Sequence, residues 1–188
     1  MPGLAVSDQE LVARARSGDT QAFDALIGLH QDRVFRLAYR MLANAEDAAD
    51  VQQETFVRAW RSIKSFRSDA AFPTWLHRIA VNLCLSRRRR KQAESLEPGV
   101  EAASSNPGEP SGTARLVRTE RAIAVRKVIA GLPPHYRALI VLREIEERPF
   151  EEIARILGCS IQSARMRASK ARKVLRERLE PILAEEVQ

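Results

Sequence analysis

A tight turn inside residues 149–173 constrains the fold more than any other stretch of this chain. Three apolar side chains recur at helical spacing before the turn: Ile153, Ile156 and Leu157. Gly158 can adopt the left-handed conformation that ends a helix, and Ser160 can cap the free amides of a following helix. A second helix is therefore expected to begin near Ile161, and the stretch is predicted to form a helix-turn-helix.

The second of these helices has two contrasting stripes. Its small and apolar stripe consists of Ile161, Ala164, Ala168, Ala171, Leu175 and Leu179. Its opposite stripe carries Gln162, Met166, Ser169, Lys170 and Lys173, with Arg165 at the edge. Cations bind phosphates, while Arg, Gln and Met side chains can contact base edges and thymine methyl groups in a major groove. This pattern favours duplex DNA as the partner. The alternative, a solvated basic helix, is weakened by the acidic helix and the turn that precede it.

Composition limits the size and the partner of the folded chain. Its 188 residues suffice for one or two small domains, and its net charge of +7, with a pI near 10.1, favours an anionic partner. Nucleic acid is favoured over a membrane, because the longest apolar run, residues 138–142, is far too short to cross a bilayer. Charged residues interrupt the first 16 positions, which do not resemble a signal peptide. We expect a cytoplasmic protein without direct membrane insertion.

Residues that carry catalytic chemistry do not form a recognisable motif. The candidates for metal binding or redox chemistry are Cys84, Cys159, His30, His77 and His135. Their spacing does not match a zinc site, and Cys159 is better explained as a small packing residue in the turn. A glycine-rich phosphate loop, an HExxH pair and a nucleophile elbow are absent from the sequence. We therefore expect no metal, no cofactor and no enzyme activity.

Residues 94–114 divide the chain into two parts. They contain three prolines, three glycines, four serines and four glutamates, and too few apolar residues to offset their chain entropy, which predicts a flexible acidic linker. The flanking parts, 1–93 and 115–188, show helical periodicity without an alternating strand pattern. The predicted helices before the turn cover residues 11–17, 22–42, 45–63, 72–90 with a break near Asn82, 115–130 and 134–146. The fold class is predicted to be all-α, with two small helical domains joined by the linker.

The predicted helix at 45–63 has an apolar face and a charged face. Its apolar stripe of Ala49, Phe56, Trp60 and Ile63 is assigned to the core. Its other face carries Asp47, Asp50, Glu54, Arg58 and Arg61, with Val51 expected to be exposed among them. A solvated face is the plain explanation of such charges. A protein partner is the alternative, which an exposed Val beside two carboxylates would favour.

The predicted helix at 72–90 combines an aromatic residue, an amide and a run of cations. Its expected core residues are Phe72, Leu76, Ile79 and Leu83. Trp75 lies on the flank of this stripe together with Asn82, which is expected to end the helix or cap the next one and leave a polar loop at 82–86. Residues 87–91 are five successive cations. Such a set suits a single nucleic acid strand, although Trp75 can be plain core and the cations a solvated tail.

These segments carry a family resemblance. AEDAADVQQETFVRAWRSIKSFRSDAAFPTWLHRIAVN resembles region 2 of the extracytoplasmic-function sigma factors, the small two-domain branch of the sigma-70 family. LPPHYRALIVLREIEERPFEEIARILGCSIQSARMRASKAR resembles their region 4. The resemblance implies region 2 at 1–93, a linker at 94–114 that threads the polymerase, and region 4 at 115–188.

The resemblance implies a subunit that binds core RNA polymerase, recognises the −35 and −10 promoter elements, opens the DNA and initiates transcription under control of an anti-sigma factor. Contact with the clamp coiled coil of the largest polymerase subunit is implied for Asp50, Val51, Gln53 and Glu54. Contact with the −10 element is implied for Trp75, Asn82, Leu83, Cys84, Arg87 and Arg88, with a flipped base held at the loop of Asn82, Leu83 and Cys84. Contact with the −35 element is implied for Arg165, Met166, Ser169, Lys170 and Lys173.

Some positions depart from the family pattern, and two other functions compete with it. The departures are Pro73, Glu147, Pro149, Met166 and Ser169. Pro149 removes a side-chain cap, and Glu147 stands where Gly is common. A stand-alone helix-turn-helix regulator would need a sensor or dimerisation domain, and a nucleic acid enzyme would need clustered carboxylates or metal ligands.

Overall fold

A computed structural model of the chain describes residues 7–66, 70–94 and 113–184, and every regular element in these ranges is helical. The α-helices are α1 (Asp8–Arg16), α2 (Thr20–Leu42), α3 (Ala45–Ser62), α4 (Phe72–Glu94), α5 (Thr113–Gly131), α6 (Pro134–Ile140), α7 (Phe150–Leu157) and α8 (Ile161–Ala184). A 3-10 turn, Ile63–Ser65, follows α3, and a π-helical turn, Val141–Ile145, continues α6. The predicted all-α fold class is confirmed, whereas most of the predicted linker lies outside the described residues.

Helices α1 to α4 form the first domain, in which α2 packs against the other three. Its helices begin where short polar side chains cap them. The Asp19 carboxylate accepts a hydrogen bond from the Ala22 amide at 3.1 Å, and the Asn44 side chain accepts one from the Asp47 amide at 2.8 Å. Each such cap contributes about 1 kcal/mol. The largest apolar side chains of this domain that are fully buried are Leu26, Leu37, Met41, Ile63 and Leu76.

Helices α5 to α8 form the second domain. Its buried core includes Leu132, Leu139, Ile140, Leu142, Ile153 and Ile156. Glu147, after the π-helical turn, has a φ of +53°, which is the left-handed conformation that favours glycine. The Arg148 amide closes this turn by donating to the Leu142 carbonyl at 2.9 Å. A non-glycine residue in this conformation costs roughly 1 kcal/mol or more, so the turn forms with some strain.

The predicted break at Asn82 is wrong, because α4 runs without interruption from Phe72 to Glu94. Val81, Leu83 and Cys84 are all buried, so packing holds the helix on both sides of Asn82. The intrinsic helix preference of Asn is less than about 1 kcal/mol worse than that of Ala, and burial of neighbouring side chains outweighs it. The polar loop expected at 82–86 is therefore helix.

The core-facing stripe of α3 lies about one residue away from the predicted one. Ala48, Val51, Phe56 and Ala59 are buried, while Ala49 is exposed. Trp60 packs its ring on Phe23 at 4.9 Å between centroids, yet it remains 37% exposed. The expectation of an exposed Val51 is wrong, since this side chain is 3% exposed.

The two domains pack directly against each other. Helix α7 of the second domain lies on α4 of the first, and α5 and α6 meet the C-terminal end of α2. The fold therefore places the helix-turn-helix beside the Trp75 end of α4.

Candidate nucleic-acid interface

The helix-turn-helix forms as predicted. Gly158 ends α7 with a φ of +63°, and a Cβ there would meet no atom within 4 Å, so glycine is favoured by backbone conformation rather than by space. The Ser160 hydroxyl accepts a hydrogen bond from the Ser163 amide at 3.1 Å, and α8 begins at Ile161. The turn residues thereby fix the angle at which α8 leaves the domain.

Small side chains allow α8 to pack closely against its own domain. Ala164, Ala168 and Ala171 are almost fully buried, as the stripe predicted, but Ile161 at its start is 40% exposed. The residues on the opposite side are all exposed: Gln162, Arg165, Met166, Ser169, Lys170 and Lys173. Arg165 and Lys173 approach Glu151 and Glu177 only at 3.9 Å, and exposed pairs of this kind contribute little. The cations of this face are consequently available to an anion.

One face of α4 carries the aromatic residue and the amide together. Trp75 is half-buried and contacts the rings of Phe66 and Phe72, with centroids 4.8 and 5.7 Å away. Asn82 is exposed seven residues later, which places it on the same side of a continuous helix. Leu83 and Cys84 point into the core instead, and burial raises the pKa of the Cys84 thiol to about 12. Neither of these two is accessible to a base.

The cationic run at 87–91 does not form one surface. Successive residues of a helix point about 100° apart, so a continuous α4 distributes these side chains around its axis. Arg87 bonds to Asp47 at 2.9 Å and to Asp50 at 2.8 Å, and Lys91 pairs with Asp47. The Arg88 guanidinium lies on another side, 3.5 Å from the carbonyls of Met41 and Ala130. Arg87, Arg88 and Lys91 are thus occupied inside the chain.

Two other arginines lie on the Trp75 face. Arg78 and Arg89 follow Trp75 by three and fourteen residues, close to whole turns of the helix, and both are exposed. Sequence reasoning missed Arg78 and did not single out Arg89 within the cationic run at 87–91, because a break at Asn82 would have separated this face into two helices. A 3.6-residue period extended through Asn82 would have placed both on the side of Trp75.

The exposed side of α3 carries most of the residues assigned to polymerase contact. Asp50 and Gln53 are exposed, and Glu54 pairs with Arg58 at 2.7 Å. Val51 lies underneath them, in the core. Beside this face, a groove of about 600 Å³ lies between α2 and α3. The sequence did not predict this groove. Its lining residues include Phe23, Ile27, Gln52, Gln53, Val57 and Trp60.

In the part of the chain that the structure describes, His, Cys, Asp and Glu residues do not gather in groups of three or more that could hold a metal ion. No helix in the same ranges has the length and apolar character needed to cross a bilayer.

Two family models match the chain. The Sigma-70 region 2 model matches residues 26–94, and the Sigma-70, region 4 model matches residues 122–175. The RNA polymerase sigma-H factor of Pseudomonas aeruginosa is 35% identical over 187 residues, which cover 95% of this chain and 96% of that protein. The ECF RNA polymerase sigma-E factor of Escherichia coli K12 is 36% identical over 187 residues, which cover 95% and 97%.

Solved structures share the fold. CnrH, determined in complex with the cytosolic domain of CnrY, matches with a TM-score of 0.68 and 28% identity, over 93% of this chain and 97% of that one. The sigma factor RpoE from Bartonella quintana, determined with the anti-sigma factor NepR, matches with a TM-score of 0.65 and 24% identity, over 84% and 96%.

Proposed function

Because the chain belongs to the sigma-70 family, in its extracytoplasmic-function branch, we propose that it is a promoter-specificity subunit of bacterial RNA polymerase. It binds core polymerase, recognises the −35 and −10 elements, opens the DNA and initiates transcription. It acts in the cytoplasm beside the polymerase and contributes binding energy rather than bond chemistry of its own. The observation that supports this most strongly is the exposed, weakly paired basic face of α8.

The −35 element is assigned to α8. Arg165 and Lys170 present cations that can bind guanine edges or phosphates, and Met166 is 55% exposed and suits a thymine methyl group. Gln162, Ser169 and Lys173 extend the same surface. The alanine seam, formed by the buried Ala164, Ala168 and Ala171, holds this helix rigidly on its domain, which favours precise contact with base edges.

The opened −10 strand is assigned to the outer face of α4. Trp75 offers a ring for stacking and Asn82 an amide for a base edge, while Arg78 and Arg89 supply phosphate contacts. Leu83 and Cys84 support this face from below through packing. Arg87 and Arg88 reach DNA only if they give up their contacts within the chain.

The clamp coiled coil of the largest polymerase subunit is assigned to α3. Asp50, Gln53 and Glu54 form the polar part of this surface, and the groove beside Trp60 adds an apolar part. Val51 contributes only by packing beneath them. A partly exposed aromatic residue next to polar groups is typical of the centre of a protein interface.

A second protein partner is assigned by likeness to CnrH, which was solved with the cytosolic domain of CnrY bound. The family resemblance implies that such a partner is an anti-sigma factor. We expect it to bind this chain and keep it from the polymerase. This partner would compete with core polymerase for the chain.

Co-purification with core polymerase, followed by transcription from a selected promoter, tests the proposal. The sigma factor should bind core without DNA and confer specific initiation on it. A stand-alone helix-turn-helix regulator would bind duplex DNA by itself and would not be retained by core polymerase. Specific duplex binding without retention would therefore favour that alternative.

A further inference from the structure

The aromatic ring of Phe150 is in contact with two arginine side chains. The Cζ atom of Arg143 lies over this ring at 4.9 Å from its centroid, and the Cζ atom of Arg165 lies over it at 5.7 Å. Both distances fall within the range of about 6 Å over which an aromatic ring attracts a guanidinium. Phe150 is therefore a contact of Arg165, the arginine at the edge of the basic face of α8.

Phe150 is held in place by the helix that it begins. It is the first residue of α7, it is half-buried, and it packs against the core of its domain. The same helix is anchored by the buried side chains of Ile153 and Ile156, and the Ile153 amide donates to the Pro149 carbonyl at 3.1 Å. The ring therefore has a defined position in front of α8.

The two arginines differ in how firmly the chain holds them. Arg143 is half-buried, and its Nη1 donates a hydrogen bond to the Arg148 carbonyl at 2.9 Å. Arg165 leaves 63% of its side chain exposed, and its ion pair with Glu151 is 3.9 Å long. An exposed pair at this distance does little to fix a side chain, whereas a planar guanidinium stacks on an aromatic face. The Phe150 ring is therefore the contact that most restricts the orientation of Arg165.

The orientation of Arg165 matters because an arginine recognises guanine with two donors at once. The guanidinium donates to O6 and N7 of the base in the major groove, and both bonds require one defined position of the planar group. A freely rotating side chain loses rotamer freedom to reach that position, and it can equally reach other acceptors. A ring that holds the guanidinium beforehand lowers this cost and favours guanine.

Lys170 lies on the same face of α8 and lacks such a contact. It is exposed, and its ammonium has neither an aromatic ring nor a carboxylate as a partner in the described part of the chain. An ammonium is a compact charge on a flexible stem, which suits a phosphate without fixing one geometry. We therefore expect Arg165 to contribute to base preference and Lys170 to general affinity for DNA.

We propose that Phe150 is a positioning residue for −35 recognition. It holds the guanidinium of Arg165 in the orientation that recognises a guanine, and it thereby sets the strength of the preference at one base pair. This role rests on the proposed function. Because Phe150 acts through Arg165, its effect on base preference should disappear when Arg165 is removed.

A promoter library with a randomised −35 element and barcoded transcripts tests the proposal. Polymerase holoenzyme that contains the full chain transcribes the library, and Arg165→Ala identifies the position whose guanine preference depends on Arg165. Phe150→Leu still packs on the core but offers no aromatic face, so it should lower the preference at that position about two- to fivefold. Phe150→Tyr keeps the ring and should keep the preference.

Double variants show whether Phe150 acts through Arg165. The Phe150→Leu/Arg165→Ala variant should have the same base preference as Arg165→Ala alone. The Phe150→Leu/Lys170→Ala variant should combine the two single effects independently, because Lys170 lies outside the ring contact.

Phe35→Leu is the matched control. Phe35 is a half-buried aromatic residue of the first domain, and its ring stacks on that of Tyr39 at 6.3 Å between centroids. This change should leave every −35 preference as it is in the unmodified chain. Thermal unfolding of each variant completes the control, since a merely structural role of Phe150 would lower initiation from all −35 sequences alike.

The proposal is overturned if Phe150→Leu keeps the guanine preference, or if Phe150→Tyr loses as much of it as Phe150→Leu. It is also overturned if Arg165→Ala alters no base preference, or if Phe150→Leu acts equally in its absence. The same library is selected in parallel for binding by the full chain without polymerase. A Phe150-dependent guanine preference in that selection, together with no initiation by the unmodified chain on core polymerase, would contradict the proposed function and support the positioning role.

Discussion

The two helices assigned to DNA, α8 and α4, both carry many cations, but they use them differently. On α8 the nearest carboxylates to Arg165 and Lys173 are 3.9 Å away, and the basic face is open. On α4, Arg87 bonds within 3 Å to Asp47 and Asp50. The difference shows that a cationic run in a sequence is not yet a cationic surface, because neighbouring helices decide which charges remain available.

The largest expected effect concerns α8. Arg165→Ala and Lys170→Ala should each weaken binding to a −35 duplex, by about 1 to 3 kcal/mol for a base contact, and each lost phosphate contact should lower the salt slope by about 1. Fluorescence anisotropy over a range of salt concentrations measures both quantities. Arg16→Ala, an exposed change in the first domain, is the control and should have little effect.

The ion pairs that α4 forms within the chain should contribute to the stability of the first domain and not to DNA binding. Asp47 accepts hydrogen bonds from Arg87 and Lys91 and is largely buried, so Asp47→Ala should cost the first domain about 2 kcal/mol. Thermal unfolding measures this loss. The exposed Glu46→Ala change, also in the first turn of α3, serves as the matched control. Equal melting temperatures for the two variants would contradict the assigned role of Asp47.

Asn82 tests whether the outer face of α4 recognises a base. Asn82→Ala should relax discrimination at one −10 position by about 1 to 3 kcal/mol, because the amide can no longer bond to a base edge. Folding should not suffer, since α4 is continuous at this exposed position and Ala has the higher helix propensity. A transcription assay with a randomised −10 element, run beside thermal melts, compares the two effects. Lower stability with unchanged base preference would show that Asn82 is structural.

The smallest expected effect is a pH dependence of the stability, which arises from His77 of α4. Burial first, and then the charges of Arg148, His30 and Arg33, lower the pKa of His77 to about 3 from its usual 6.5. The native state thus keeps His77 neutral, and its stability is fully present above pH 6.5 and falls as the pH decreases toward 3. Between pH 7.5 and 5.5 the loss should be about 1.4 kcal/mol in thermal or denaturant unfolding. The stability of the His77→Gln variant should depend less on pH over that interval. An unchanged pH dependence would contradict the assignment of this effect to His77.

The sequence predicted those parts of the molecule that local chemistry determines. Gly158, Ser160 and the alanine seam predicted the helix-turn-helix because turn conformation, capping and close packing act over a few residues. The break predicted at Asn82 and the exposure predicted for Val51 were wrong, because both depend on contacts with other helices. Packing of Val81 and Cys84 continues α4 through Asn82, and the same packing separates Arg87 and Arg88 from the Trp75 face. The ion pair of Arg40 with Glu146 joins residues 106 positions apart, which periodicity along one helix does not detect.

Permanganate footprinting of a promoter bound by the polymerase holoenzyme tests most directly whether α8 binds the duplex while α4 acts in opening the −10 region. At protein concentrations that saturate the promoter, Lys170→Ala should give normal thymine reactivity in the −10 region, because this change affects duplex binding. Trp75→Ala should bind the promoter and leave the same thymines unreactive, because the opened strand loses its stacking surface. Equal loss of binding and opening in both variants would contradict the assignment of the two steps to separate helices.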